Sequence, residues 1–257
     1  MTQKNILFTS WHFYLDPSNG ASITARELLL ALAKRGWDVS TFCGPALDFV
    51  EATDPLGILR DHNIRTGTTL SNHGVVPFSL AQFKDNGLRS SIFIPGEKSP
   101  IPSPEVGAAF LQLLEKTIRA QKPKLIATYG GYWLGRPMLE LAHSLKIKTV
   151  VLLMNCVYRD PAYFQCADLT LVLSEWSSKY YSDKIGISTT PLPPIIDWGR
   201  VLNNEPDATK KYVTFINPDP DKGVYWFAGI VRQIHRLRPE IPFLVVSNGF
   251  GSTIKRL

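Results

Sequence analysis

The chain has 257 residues, of which 44 % are apolar and 19 % charged, and 28 Lys and Arg against 22 Asp and Glu give a net charge of +6. This is the composition of a folded globular chain and excludes disordered and fibrous classes. At roughly 150 residues per domain, the length implies one large domain and a fraction of a second.

The chain opens with an apolar strand predicted over 5–9 and a polar loop over 16–20. A helical stripe follows over 23–35, with apolar side chains at 25, 28, 29, 32 and 33. Ser22 or Thr24 is the expected cap, and Thr24-x-x-Glu27 fits a capping box. Gly36 ends the helix and a strand follows over 37–42. A βαβ unit of this length implies a parallel sheet with a right-handed crossover.

Residues 44–104 read as variable loops with short elements, 92–95 being a strand candidate. Regular patterning then returns. A helix is expected over 106–121, a strand over 124–128, a helix over 134–145 and a strand over 148–154. Pro137 falls in the first turn of the 134–145 helix, where proline is tolerated. A strand over 169–173, a helix over 174–181 and a short strand over 189–192 complete the series. A polar boundary lies near 197–209. Beyond it come a strand over 212–216, a loop over 217–223, a helix over 224–237 and a strand over 242–246. The expected domains are 1–197 and 198–257.

No run reaches the ~18 apolar residues of a membrane-spanning helix. The longest, 149–157, is about half that length and reads as a buried strand. The N-terminal apolar stretch is too short for a signal peptide, which makes the expected location cytoplasmic. Cys43, Cys156 and Cys166 show no C-x-x-C spacing. Buried thiols are expected, with neither a disulfide framework nor a zinc site. Lys116, Arg119, Lys122, Lys124, Arg136, Lys146 and Lys148 face only Glu140 in their stretch. Such clustering suits anionic partners such as nucleotides or lipid headgroups, while no nucleic-acid-binding motif accompanies it.

Three loops could carry chemistry. In the 18–22 loop, Gly20 and Ala21 open a helix whose amides could meet a phosphate, although G-x-G-x-x-G is absent. In the 217–223 loop, Lys222 and Gly223 sit just before a helix, an arrangement suited to a diphosphate. Asp219-x-Asp221 is the competing metal-nucleotide reading; the adjacent lysine and helix start favour an anion. In the 129–133 loop, Tyr129, Gly130 and Gly131 with the following aromatics suit a sugar or base platform. His12 directly follows the first strand, and Asn155 ends the 148–154 strand. No Ser-His-Asp, Cys-His or His-Glu-x-x-His arrangement can be assembled.

Taken together, these segments resemble the family 4 glycosyltransferases of the GT-B fold. The opening strand, Ser18-Asn-Gly-Ala-Ser22 and the helix ending Arg35-Gly-Trp-Asp-Val39 look like the family's strand, G-G-A, helix, R-G-H-x-V. Ala167 to Ser174 looks like its A-D-x-V-x-x-x-S strand, and Leu192 to Asp197 like its P-N-G-V-D hinge. Thr214 to Gly223 resembles the start of the second domain, G-R-x-x-x-x-K-G. Asn217 replaces that arginine, and the first-domain H-x-H reads Ala127-Thr-Tyr129.

The resemblance implies a Rossmann-like parallel sheet with flanking helices plus an incomplete second Rossmann-like βαβ unit. It implies retaining sugar transfer from a nucleotide-sugar donor, used as substrate, with no further cofactor or metal. By position, Gly20 and its neighbours would approach the donor diphosphate and Lys222 would pair with it. His12, Tyr129, Gly130, Gly131 and Asn155 fall on the acceptor side. The acceptor would be a saccharide or a lipid-linked saccharide, the latter matching peripheral contact with the inner face of a membrane.

The second domain's E-x7-E segment is missing from 198–257. The expectation is therefore a truncated or split enzyme, inactive alone and completed by a C-terminal chain or by oligomerisation. The alternative is a non-catalytic nucleotide- or saccharide-binding module. A third reading, a sugar-nucleotide epimerase, is set aside on the absent G-x-G-x-x-G.

Overall fold

The computed structural model describes residues 4–48, 54–73, 76–96, 101–130, 132–202 and 211–246. The chain divides into two compact units, Met1–Asp197 and Trp198–Leu257.

Unit 1 contains β1 (Asn5–His12), α1 (Gly20–Lys34), β2 (Asp38–Ala46), α2 (Pro55–Asp61), β3 (Gly67–His73), β4 (Val76–Asp85) and β5 (Leu88–Pro95). These are followed by α3 (Pro104–Gln121), β6 (Leu125–Thr128), α4 (Gly135–Ser144), β7 (Lys148–Leu153), β8 (Leu169–Val172), α5 (Glu175–Ile185) and β9 (Thr190–Pro191). One sheet holds all nine strands in the order β3-β4-β5-β2-β1-β6-β7-β8-β9. From β5 to β9 every neighbouring pair is parallel, whereas β3–β4 and β4–β5 are antiparallel.

The sheet is covered on both faces because its central strands are apolar on both. Along β1, Ile6 and Phe8 pack with Ala25 and Leu29 of α1, whereas Leu7 and Trp11 pack with Phe110 and Leu114 of α3 and Met138 of α4. A third cluster sets Val151, Leu153 and Val172 against Tyr181 of α5. Among the described residues no helix is long and apolar enough to cross a membrane.

Three expectations are corrected. The 44–104 stretch is mostly ordered sheet: β3, β4 and β5 form an antiparallel meander preceded by α2. Helix α1 starts at Gly20, earlier than the apolar stripe. Its cap is Asn19, whose side chain accepts from the Ala21 and Ser22 amides; Thr24 Oγ1 instead donates to Gly20 O at 2.8 Å. Cys43 is fully buried, but Cys156 and Cys166 are only half-buried, and all three are free thiols.

Unit 2 holds α6 (Trp198–Val201), β10 (Val213–Ile216), α7 (Val224–Leu237) and β11 (Phe243–Val246), with β10 and β11 parallel. Phe227 of α7 stacks on Phe215 at 4.6 Å and meets Phe243 edge-on at 5.9 Å. Among its described residues only Pro218 and Val224 are buried. Trp226, Leu237 and Ile216 are 82 %, 78 % and 69 % exposed. Among the described residues of this unit, two strands and α7 bury little apolar surface.

Candidate functional site

In an open parallel sheet, ligands bind outside the carboxyl ends of the strands where the strand order reverses. Here that point is β1, with β2 on one side and β6 on the other. The site therefore falls between the end of β1 and the end of β6. His12 is the last residue of β1, correcting its expected place just after the strand, and Tyr129 and Gly130 follow β6.

The imidazole of His12 lies between two tyrosine rings, 5.9 Å from Tyr129 and 5.0 Å from Tyr132, both near parallel. Gly130 adopts φ +54°, and a Cβ there would sit 3.2 Å from His12 Nδ1. The left-handed turn and the ring's close approach both favour glycine there. Nδ1 is buried, and among the described residues it has no hydrogen-bond partner. A buried orphan N–H is rarer than an orphan lone pair, so the geometry favours the tautomer protonated on Nε2. Burial lowers the His12 pKa, and the nearby carboxylates of Asp48 and then Asp16 oppose that shift. The net shift favours the neutral ring.

Asp16 is buried and satisfied: Oδ1 accepts from Ser18 N at 2.9 Å and Oδ2 from Asp48 N at 2.8 Å. Burial, and then Asp16, raise the pKa of Asp48. Tyr129 is a strut. Its hydroxyl is 2.5 Å from Ser22 Oγ, which itself donates to Phe13 O at 3.1 Å, leaving Tyr129 as the donor to Ser22. Burial pushes the Tyr129 phenol far above its usual pKa. Ser10 Oγ donates to Tyr129 O at 2.8 Å and locks the ends of β1 and β6 together.

The surface aromatics of the site are Tyr132 and Trp133, each 42 % exposed. Trp133 Nε1 donates to Pro102 O at 2.9 Å. Its ring fills the space over Gly107, where a Cβ would come within 2.3 Å. Tyr163 Oη donates to Gly130 O at 3.3 Å and braces the turn from the far side. Asn155 lies two residues beyond β7 on the same edge. Its side chain accepts weakly from Val157 N at 3.4 Å, and its backbone carbonyl accepts from Tyr181 Oη at 2.7 Å. Gly131 lies outside the described residues.

The two predicted phosphate loops differ. At α1 the Ala21 amide is already held by Asn19 Oδ1 at 2.7 Å, so an anion there must displace that side chain, while Gly20 is exposed. At α7 the residue before the helix is Gly223, which has no side chain to cap it, and the Val224 amide donates to Asp219 O at 3.3 Å. Gly223 precedes it at φ +86°, and Lys222 is exposed one residue earlier. Asn217, in the place of the family's arginine, adopts φ +63°, a conformation asparagine tolerates. The Asp221 side chain lies outside the described set.

Asp16, Asp48 and Tyr132 were not among the predicted site residues. Tyr132 lies within the 129–133 loop and Asp16 two residues before the 18–22 loop, but only the fold shows which side chains reach the edge. Among the described residues no three metal-ligating side chains cluster. The basic stretch at 116–148 is largely elsewhere. Grooves of about 660 and 610 Å³ open on the opposite edge of the sheet, and Arg119, Lys122, Lys124, Lys146 and Lys148 line the second.

A direct test of the His12 environment is its titration by NMR. The midpoint is expected below 6.5, and Asp48→Asn should lower it further by removing the carboxylate that opposes the shift. The sign for stability follows. His12 holds fewer protons folded than unfolded just below pH 6.5, so its contribution is present above that pH and is lost on acidification through the folded pKa. His12→Gln should flatten that part of the stability profile. A midpoint at or above 6.5 would contradict the arrangement.

No family model matches the sequence, and no curated protein matches it. Solved structures do. The catalytic domain of starch synthase IV from Arabidopsis thaliana, bound to ADP and acarbose, superposes with a TM-score of 0.64 at 9 % identity, over 95 % of this chain and 68 % of that one. A glycosyltransferase from Rickettsia africae gives 0.54 at 10 % identity, over 96 % and 69 %. A candidate UDP-N-acetylglucosamine 2-epimerase from Listeria monocytogenes gives 0.52 at 9 % identity, over 100 % and 66 %. The chain thus spans about two thirds of the length of these proteins. At such identities the likeness shows the fold, the Rossmann-like α/β architecture of GT-B glycosyltransferases.

Proposed function

We propose that the chain is a glycosyltransferase-type protein whose unit 1 takes an acceptor saccharide at the strand-order reversal. The observation that carries this reading is His12 lying near-parallel to the rings of Tyr129 and Tyr132 at that point. Aromatic rings supply an apolar face for sugar C–H groups, and an imidazole and an asparagine supply polar tips for hydroxyls. In unit 2, Lys222 and the glycine-led start of α7 suit the diphosphate of a nucleotide-sugar donor. The chemistry would be stabilisation of the departing diphosphate, with retention at the anomeric carbon as the family resemblance implies.

The scarcity of buried residues in unit 2 supports a further element of the proposal: the chain by itself does not turn over. It also favours the second reading, a non-catalytic saccharide- or nucleotide-binding module. Calorimetric titration with UDP and ADP separates these from an unrelated role. Binding is expected, and Lys222→Ala should weaken it about 5-fold, the ~1 kcal/mol of one exposed charge–phosphate contact. Unchanged affinity would remove Lys222 from the site. Transfer from a nucleotide sugar by the purified chain would overturn its proposed inactivity and leave the acceptor site standing.

A further inference from the structure

The parallel topology sends the amino ends of the strands, and the carboxyl ends of α1, α3 and α4, to the edge opposite His12. Lysines collect there. Lys122 and Lys124 lie between α3 and β6, and Lys146 lies between α4 and β7. All three are exposed, and among the described residues none has a carboxylate within ion-pair distance. Arg65 before β3 and Lys84 near the end of β4 extend the band, because β3 and β4 are antiparallel neighbours within the same sheet. The grooves of about 660 and 610 Å³ open along it, flanking the end of α3 at Gln121 and Lys122.

The carboxylates of this edge are mostly spent. Asp38 holds Arg89 at 2.8 Å, Glu115 holds Arg119 at 2.6 Å and Asp168 holds Lys148 at 2.6 Å. Asp85, beside Lys84 at the end of β4, holds Arg26 at 2.9 Å, and Asp61, ending α2, also lies on this side. Helix ends explain part of the pattern, since a cation offsets the negative end of a helix dipole. Lys122 and Lys146 follow α3 and α4 in left-handed conformations, φ +49° and +59°. Arg65, Lys84 and Lys124 lie beside strand ends and have no such reason to be there.

We infer that this edge of unit 1 is an electrostatic docking surface for an anionic lipid bilayer. Lysines dominate the uncompensated cations, and a lysine is a point charge suited to diffuse attraction to headgroups; bidentate phosphate recognition relies on arginine. Neither groove offers an exposed aromatic for base stacking, since Phe83 is buried, which disfavours single-stranded nucleic acid. The inference does not depend on the glycosyltransferase reading. Where that reading holds, one consequence follows. Lys124 and Tyr129 stand at opposite ends of β6, about 17 Å apart at ~3.3 Å per residue. Unit 1 docked by this edge turns its saccharide cleft away from the bilayer, so the acceptor arrives from the aqueous side. This replaces the expectation that the basic stretch serves a lipid-linked acceptor.

The test is co-sedimentation of the full chain with phosphatidylcholine vesicles, with and without phosphatidylglycerol, at low and high salt. Binding is expected only with phosphatidylglycerol, and salt should reverse it. Lys122→Glu/Lys124→Glu should reduce partitioning at least ~25-fold, about 5-fold for each lysine near the surface. Arg136→Glu/Arg159→Glu, on the edge of unit 1 that carries His12, makes the same change in net charge and should reduce it less than ~3-fold. Circular dichroism checks that both variants fold. Equal losses in the two variants, equal binding to neutral vesicles, or binding to RNA without binding to vesicles would each overturn the inference.

Discussion

Gly44→Ala is expected to destabilise unit 1 by about 3 kcal/mol, at the upper end of the ~1–3 typical of overpacking. The cause lies in the register of β1 on β2. Ser10 pairs with Cys43, but His12 pairs with Ala46, so β2 carries one extra residue over this interval. Pro45 lies inside it and has no N–H to give to the ladder. The bulge brings Trp11 onto Gly44, where a Cβ would meet the Trp11 carbonyl oxygen at 2.4 Å and its ring at 2.6 Å. Trp11 cannot retreat, being fully buried and packed edge-on against Phe110 at 5.3 Å. Because His12 ends the same strand, the substitution should also disturb its stacking on Tyr132. Urea denaturation gives the magnitude. Gly20→Ala is the control: nothing lies within 4 Å of its Cβ position, and a change under about 0.5 kcal/mol is expected. A loss below about 1 kcal/mol for Gly44→Ala would contradict the close approach.

Asp85→Ala should cost about 3 kcal/mol, the lower end of what breaking a buried ion pair costs. Asp85 ends β4 with its side chain 3 % exposed, and Arg26 of α1 grips it through Nε and Nη2, both at 2.9 Å. The Tyr14 hydroxyl lies 3.4 Å from Asp85 and 2.8 Å from Ser90 Oγ, and so ties the end of β1 to the same group. Removing the carboxylate strands the guanidinium. Arg26 is 23 % exposed, so water can reach it, and this holds the cost at the low end. Arg26→Met together with Asp85→Leu should cost less than Asp85→Ala alone, because no charge is then left behind. A double variant less stable than the single would contradict this account.

Much of the fold was legible where apolar periodicity is strong. Strands β1, β6, β7 and β8 and helices α3, α4 and α7 were read to within a few residues at each end. The meander was missed for a physical reason. β3 carries one large apolar side chain, Leu70, and that is 82 % exposed, so no alternation is visible in its sequence. β4 alternates, but it contains Pro77, which argues against a strand; β4 is paired on both sides, and the proline is accommodated as its second residue, at the start of the strand. At the site, Tyr129 and His12 were found from their place after strands. Their roles needed coordinates: Tyr129 is a buried strut, and the outer face belongs to Tyr132. The Asn19 cap was hidden because the apolar stripe begins several residues after the helix does.

The most direct measurement is saturation-transfer NMR of linear oligosaccharides with the wild-type chain and with Tyr132→Ala. Tyr132 is half-exposed, so its loss should leave the fold intact and the titration of His12 visible. The account predicts saturation transfer from the wild-type chain and at least a ~10-fold weaker response in the variant, in line with the ~1.5 kcal/mol of an aromatic contact. A saccharide that binds both proteins equally would contradict a cleft built on His12 and Tyr132.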